Sequence, residues 1–214
     1  MTKRDPAEIA SFLAAVDPRL AGLIDLVGPP PHQQRLRPAQ RFDRLAVAIL
    51  HQQLAGSAAS AITQRVRNSL GGIISADSLS RSIVEDLRSA GCSEAKALAL
   101  LDLAARASDG RLDLTGIARR TDDEVIAALS SVRGIGRWTA EMFLMGPLGR
   151  PDVWPTGDLG VRRGFGLIQG SAESPTPTEL QSLADPHRPH RSSLAWYCWQ
   201  AVDVARVNGG VLPR

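Results

Sequence analysis

Residues 131–161 read SVRGIGRWTAEMFLMGPLGRPDVWPTGDLGV. An apolar pattern of helical period ends at Val132, Gly134 and Gly136 flank a single isoleucine, and a second helical pattern runs from Arg137 to Met145. Glycine reaches positive φ without steric cost, so both glycines are expected to serve a tight turn between two helices. The unit is a helix-hairpin-helix over about 122–146. Beyond it, a stretch rich in proline and glycine delivers one acid, Asp158, directly before a further helical pattern, LGVRRGFGL. Such a hairpin points the amides of its second helix outward beside the positive end of the helix dipole, which suits a phosphate oxygen. The glycines remove side chains that would hold the phosphate away. The tripeptide alone is equally compatible with a turn chosen for packing.

Working outward, Thr121 followed by Glu124 reads as a capping box that starts the helix 122–132. Helical periodicity also marks Ala7–Val16, Arg19–Val27, Ala58–Leu70, Ala76–Ala90, Glu94–Ala107 and Arg188–Val207, with residues 28–41 expected as loop. Phe42, Leu45, Ala46, Ile49 and Leu50 form one apolar stripe, which the polar HQQ at 51–53 interrupts, and Gly71-Gly72 ends the helix after it. No segment alternates with period two, so the fold class is all-α. A chain of 214 residues, 43% hydrophobic, has enough apolar surface for one core or two packed lobes and is read as a single domain over 1–214. The formal charge of +3 and a pI near 9.4 permit a polyanionic partner without demanding one. The segment MTKRDPAEIASFLAAVDP carries Asp5 and Glu8 and no sustained apolar run, so neither a secretory signal nor a membrane span is expected. The implied address is cytoplasmic, nucleoid-associated in a bacterium. Cys92 and Cys198 match no ligand spacing; a zinc site, a disulfide framework and a cysteine-held iron-sulfur cluster are unsupported, and buried free thiols are expected.

Four stretches together resemble the helix-hairpin-helix superfamily of DNA base-excision glycosylases, and within it the 3-methyladenine DNA glycosylase II branch: LAVAILHQQLAGSAASAI at 45–62, VRGIGRWTAEMFL at 132–144, RPDVWPTGDLGVRRG at 150–164 and RPHRSSLAWYCW at 188–199. The resemblance implies a two-lobed helical fold with the active-site cleft between the lobes, double-stranded DNA containing damaged bases as partner, and a monomer. It assigns catalysis to Asp158. A carboxylate beside the anomeric carbon stabilises the positive charge that builds on deoxyribose as the glycosidic bond breaks, and it can orient the attacking water. Asp158 also suits an ordinary helix N-cap. The resemblance further implies that Arg133, Gly134, Ile135, Gly136, Arg137 and Thr139 form the DNA-facing hairpin, and that the carbonyls of Ser130, Val132 and Ile135 hold a monovalent cation, sodium or potassium. No other cofactor is called for.

Seven of the nine aromatic residues fall between 138 and 199, and about half of them are expected in the core. Trp138 is the foremost substrate-binding candidate, with Trp154, Trp196 and His190 beside it; His190 either lines the pocket or caps the last helix. Gln52, Gln53 and Leu54 occupy the loop that in such glycosylases inserts a wedge into the vacated base stack, with a polar kink as the plain alternative. Bifunctional relatives carry a lysine where this chain has Trp138, so hydrolysis by water is expected, giving a free base and an abasic site. Cationic N3- or N7-alkylated purines such as 3-methyladenine and 7-methylguanine leave without protonation and favour an electron-rich pocket. Set against the resembling family, the extra N-terminal β-domain of longer bacterial relatives is not expected, and Gly157 stands where many relatives have an acid. A non-catalytic duplex-binding module and a glycosylase for deaminated or oxidised bases are the alternatives.

Overall fold

The structure is a computed structural model that describes residues 5–32, 35–54, 56–171 and 173–212. Among the described residues there are helices and no strand, as the uniform helical period requires. The described residues form twelve α-helices, in order α1 (Pro6–Val16), α2 (Ala21–Val27), α3 (Pro38–His51), α4 (Gly56–Ser69), α5 (Ala76–Ser80), α6 (Val84–Ser89), α7 (Glu94–Ser108), α8 (Asp122–Ser130), α9 (Arg137–Met145), α10 (Leu159–Ile168), α11 (Pro177–Leu183) and α12 (Arg191–Val207). The chain divides into two compact units. A terminal unit comprises residues 1–34 and 149–214, and a central unit comprises 35–148. No helix among the described residues is long and apolar enough to cross a membrane.

The central unit is built on the stripe of α3. Leu45, Ala46, Ile49 and Leu50 are fully buried, and they share their core with Leu100 and Leu103 of α7. α3 begins at Pro38, earlier than the loop expected to 41, because proline at the first helical position loses no bond and presets φ. The pattern read as one helix over Ala76–Ala90 is two. Ile83 is extended, and its N–H donates to Asp86 Oδ2 at 3.1 Å, so a carboxylate three residues on starts a new helix and breaks the old one. Gly71 and Gly72 both have positive φ, 75° and 97°, and end α4 as expected. The capping box of α8 is present in both directions: Thr121 N–H donates to Glu124 Oε2 (2.7 Å), and Glu124 N–H donates to Thr121 Oγ1 (3.3 Å).

In the terminal unit α10 lies against α12 at close range because Gly164 allows it; a methyl group there would collide with the Cys198 carbonyl. Tyr197 is fully buried, its hydroxyl donates to the Gly28 carbonyl at 3.1 Å, and burial pushes its pKa up to about 12. α12 starts at Arg191, three residues later than expected, and α11 was not anticipated at all; its seven residues are too few for an apolar period to register.

Candidate active site and hairpin

Asp158 is the N-cap of α10. Its backbone is extended, its Oδ1 accepts the Val161 N–H at 2.8 Å, and the residue is 8% exposed. The carboxylate thus caps a helix N-terminus, where a backbone amide and the positive end of the helix dipole face it. A second donor reaches the same oxygen: Trp199 Nε1–H lies 3.1 Å from Asp158 Oδ1. Trp199 was not among the site candidates that the sequence suggested. The signal was Gly160, two residues after the acid. A Cβ there would come within 2.8 Å of Trp199 Cδ1 and 3.1 Å of Asp158 Oδ1, so only glycine lets the indole reach the carboxylate. Cys198, the preceding residue, is buried; burial pushes its thiol well up and the charge of Asp158 adds to the effect, so it stays a neutral thiol. Gly157 is exposed, and a Cβ on it would meet nothing within 4 Å.

The other candidates in this unit divide by burial. Trp154 is 6% exposed, its indole N–H donates to the Leu180 carbonyl at 2.9 Å, and its ring meets Phe165 edge-on at 6.1 Å; it is a core residue of the unit. His190 sits at the N-cap position of α12 without a side-chain cap bond, buried with its ring edge-on to Phe12 at 5.3 Å. Trp196 is half-buried and packs edge-on against Tyr197 at 4.9 Å. A cleft of about 970 Å³ in the same unit, lined by Arg19, Arg163, Gln169 and Val211 among others, includes neither Asp158 nor Trp199.

In the central unit α8, the GIG turn and α9 form the expected hairpin, with one difference. Gly134 has φ +76°, and a Cβ would stand 3.2 Å from that of Ala99. Gly136 has φ −92°, a conformation open to any residue, and a Cβ on it would meet nothing within 4 Å. Gly134 is therefore required by the turn; Gly136 is required by nothing inside its own unit. Gly136 is the N-cap of α9 and offers no side-chain cap. The Ile135 and Thr139 side chains are buried, so these two residues can offer little but backbone outward. Arg133 and Arg137 are exposed, and Arg137 pairs with Glu141 at 2.8 Å. Trp138 is 50% exposed.

The Gln52–Leu54 loop follows α3. Gln52 Nε2 donates to the Gly134 carbonyl at 2.9 Å and lies 3.5 Å from Thr139 Oγ1, so its amide is tied to the hairpin. Gln53 has φ +57°, the one positive φ of a non-glycine residue among those described, and its side chain is exposed; Leu54 is 39% exposed. Lys96 Nζ donates to the Leu50 carbonyl at 2.7 Å, and burial lowers its pKa. Around the turn, the Val132 carbonyl accepts the Ile135 N–H at 3.1 Å, while among the described residues the Ser130 and Ile135 carbonyls accept no backbone bond. These are neutral oxygen donors with lone pairs to spare, the type that suits a monovalent cation. Among the described residues no cluster of three or more His, Cys, Asp or Glu could hold a metal ion.

An all-helical chain with this hairpin and a capped carboxylate after it has the parts of a base-excision repair protein, and the family model agrees: the chain belongs to the HhH-GPD superfamily base excision DNA repair proteins, matched over residues 46–189. Over 217 aligned positions, all of this chain and 94% of the relative, it is 29% identical to DNA-3-methyladenine glycosylase 1 of Schizosaccharomyces pombe. A solved structure of the 3-methyladenine DNA glycosylase from that yeast, in complex with abasic DNA, superposes with a TM-score of 0.81 at 28% identity, covering 92% of this chain and 98% of that one. A DNA-3-methyladenine glycosidase from Bacillus halodurans gives 0.83 at 33% identity, covering 95% of this chain and 93% of the other.

Proposed function

We infer that this protein is a base-excision DNA glycosylase that hydrolyses the N-glycosidic bond of alkylated purines, 3-methyladenine and 7-methylguanine among them, in duplex DNA. The observation that carries the reading is the buried Asp158 carboxylate, held by two donors at the start of α10, in a chain similar over its whole length to a 3-methyladenine glycosylase. As the base departs, positive charge develops on the sugar, and a preorganised carboxylate stabilises it without having to reorganise. Water then completes the substitution, and an abasic site remains. The N3- and N7-alkylated bases are cationic before they leave, so a half-exposed indole such as Trp138 favours them by ~0.5–2 kcal/mol of cation-π attraction. In the terminal unit, His190 packs against Phe12, Trp196 against Tyr197 and Trp154 against Phe165 of α10.

The hairpin is the duplex anchor. Its open helix end receives a phosphate through the amides near Gly134 and Gly136, with Arg133 and Arg137 adding charge. A sodium or potassium ion held by the carbonyls of Ser130, Val132 and Ile135 would supply positive charge toward that phosphate. Gln53 is the wedge, because a non-glycine residue in the left-handed region is strain kept for a use, and Gln52 is occupied elsewhere. Cleavage is monofunctional. Lys96, the one lysine among the described residues, gives its ammonium to Leu50, which supports water as the nucleophile over an amine. The protein acts as a monomer in the compartment that holds the DNA.

The deciding experiment incubates the protein with methylated duplex. Free methylpurine is expected, with strands intact until alkali or heat opens the abasic sites and no covalent adduct on borohydride. Duplex binding without base release would make it a binding module; efficient trapping would make it a lyase.

A further inference from the structure

The GIG turn is held from behind by a carboxylate, and we propose that Asp102 is a positioning residue that sets the amides of the hairpin for a DNA phosphate. The proposal rests on the hairpin being the duplex anchor. Asp102 lies in the middle of α7, and its Oδ2 accepts the Arg133 backbone N–H at 2.8 Å. One helical turn further, Arg106 Nε pairs with the same carboxylate at 2.9 Å, and its NH1 reaches Ser131 Oγ at 3.2 Å. Ser131 Oγ in turn donates to the Ala128 carbonyl of α8 at 2.8 Å. Ala99, three residues before Asp102 on the same face of α7, is the atom group that a side chain on Gly134 would meet. Ala99, Asp102 and Arg106 therefore form one stripe on which the turn rests.

The consequence is an alternation of amides. The Arg133 N–H is taken inward by Asp102 and the Ile135 N–H by the Val132 carbonyl. Among the described residues the Gly134 and Gly136 N–H groups have no hydrogen-bond partner. Each peptide unit is planar, so fixing the donors at 133 and 135 restricts the planes that carry those at 134 and 136. Burial works to raise the Asp102 carboxyl, but the Arg133 amide and Arg106 outweigh it and hold it below the ordinary carboxylate range, so the brace is charged. Charge alone makes this an unfavourable place for an acid, since a negative group behind a phosphate site repels the phosphate. Electrostatics and positioning therefore predict opposite signs when Asp102 is removed.

The test measures equilibrium binding of Asp102→Ala and Asp102→Asn to undamaged and abasic duplexes at one salt concentration, together with the single-turnover excision rate at saturating enzyme. Asp102→Ala should bind both duplexes alike about tenfold more weakly, the size of one lost hydrogen bond to a charged group, with the saturating rate within about twofold. Asp102→Asn keeps an acceptor for the Arg133 N–H without the charge and should fall between. Unchanged or tighter binding by the alanine variant would overturn the brace, as would a loss confined to the saturating rate. Should Asp102→Ala not fold, the asparagine variant and hydrogen exchange of the wild-type Arg133 amide decide: exchange as fast as that of Gly134 overturns the proposal. Gly136→Ala separates the two readings. If it keeps full affinity, the hairpin is not the anchor; if it loses affinity while Asp102→Ala does not, the brace alone fails.

Discussion

Two helices of this protein begin on the same plan and end up with opposite chemistry. α10 starts after Pro155-Thr156-Gly157 with its own carboxylate in place, Asp158 Oδ1 on the Val161 N–H. α9 starts after Gly134-Ile135-Gly136 with no side-chain cap at all. Every helix N-terminus leaves amides unsatisfied and carries partial positive charge. In the terminal unit that end is filled from within, by the Asp158 carboxylate. In the central unit no side chain fills it. A glycine cap costs only a few tenths of a kcal/mol against a capping side chain, and α2 and α12 also start without a side-chain cap bond; what sets the start of α9 apart is that, among the described residues, the Gly134 and Gly136 N–H groups have no hydrogen-bond partner.

The comparison breaks most sharply at Asp158. Asp158→Asn keeps an N-cap of nearly equal quality, so the melting temperature should hardly move, while excision should lose ~2.7–4 kcal/mol of transition-state stabilisation, the scale seen when one preorganised group is removed. Single-turnover kinetics and thermal unfolding on the same preparation check both halves. Near-normal excision by the folded variant would mean that the filled helix end is only a cap.

Trp199 comes next. Replacing it by phenylalanine removes the indole N–H from Asp158 Oδ1 and keeps an aromatic body in place. A hydrogen bond to a charged group is worth ~1.5–3 kcal/mol, so the excision rate should fall at least about tenfold with duplex affinity preserved. Equal losses in affinity and rate would show that the ring contributes by packing alone.

What the sequence disclosed and what it hid follow the same division. Local chemistry was legible. Thr121 and Glu124 gave the start of α8, Arg137–Met145 matched α9 at both ends, and Asp158 stood where an N-cap belongs. These depend on residues within four positions of one another, which is the range that spacing arguments reach. The Ile83 break was also local, yet the apolar period ran on through it and masked the Asp86 cap. Contacts across long separations left no pattern to read. Trp199 lies 41 residues from Asp158, and Asp102 lies 31 residues from Arg133. Each long-range contact did leave a glycine behind, Gly160 beneath the indole and Gly134 against α7, but such a glycine is read correctly only once its neighbour is known.

The glycines themselves sharpen the comparison at a smaller scale. Gly134→Ala forces a Cβ into positive φ and toward Ala99, and it should cost roughly 1 kcal/mol of stability or more. Gly136→Ala meets no neighbour and requires no unusual backbone, so the fold should be unaffected, or slightly stabilised by the smaller entropy of the unfolded chain. Its affinity for damaged and undamaged duplex should nevertheless fall together, because a methyl group at the open helix end stands where a phosphate must approach. Denaturant unfolding paired with duplex titration separates the two glycines, and a Gly136→Ala protein that binds normally would remove the case for a ligand at α9.

The smallest effect is expected at Gly157, the counterpart of Gly136 at the filled end. It too is exposed and would accept a Cβ with nothing within 4 Å, so Gly157→Asp should fold with its stability within ~0.5 kcal/mol of the wild type. The favourable interaction of a second acid with the helix dipole, ~0.3–1 kcal/mol, is opposed by its repulsion from Asp158. Because Asp158 already supplies the anion that this helix end needs, a further carboxylate has no vacancy to fill there. The excision rate at saturating enzyme should therefore change by only a few-fold, and duplex affinity should weaken slightly through like-charge repulsion with the phosphates. A salt titration tests the origin of that weakening, since the difference from wild type should shrink as ionic strength rises. A large loss of excision at Gly157→Asp, persisting in high salt, would show that the backbone before Asp158 must itself lie against the substrate, and the two helix ends would then be alike in being open.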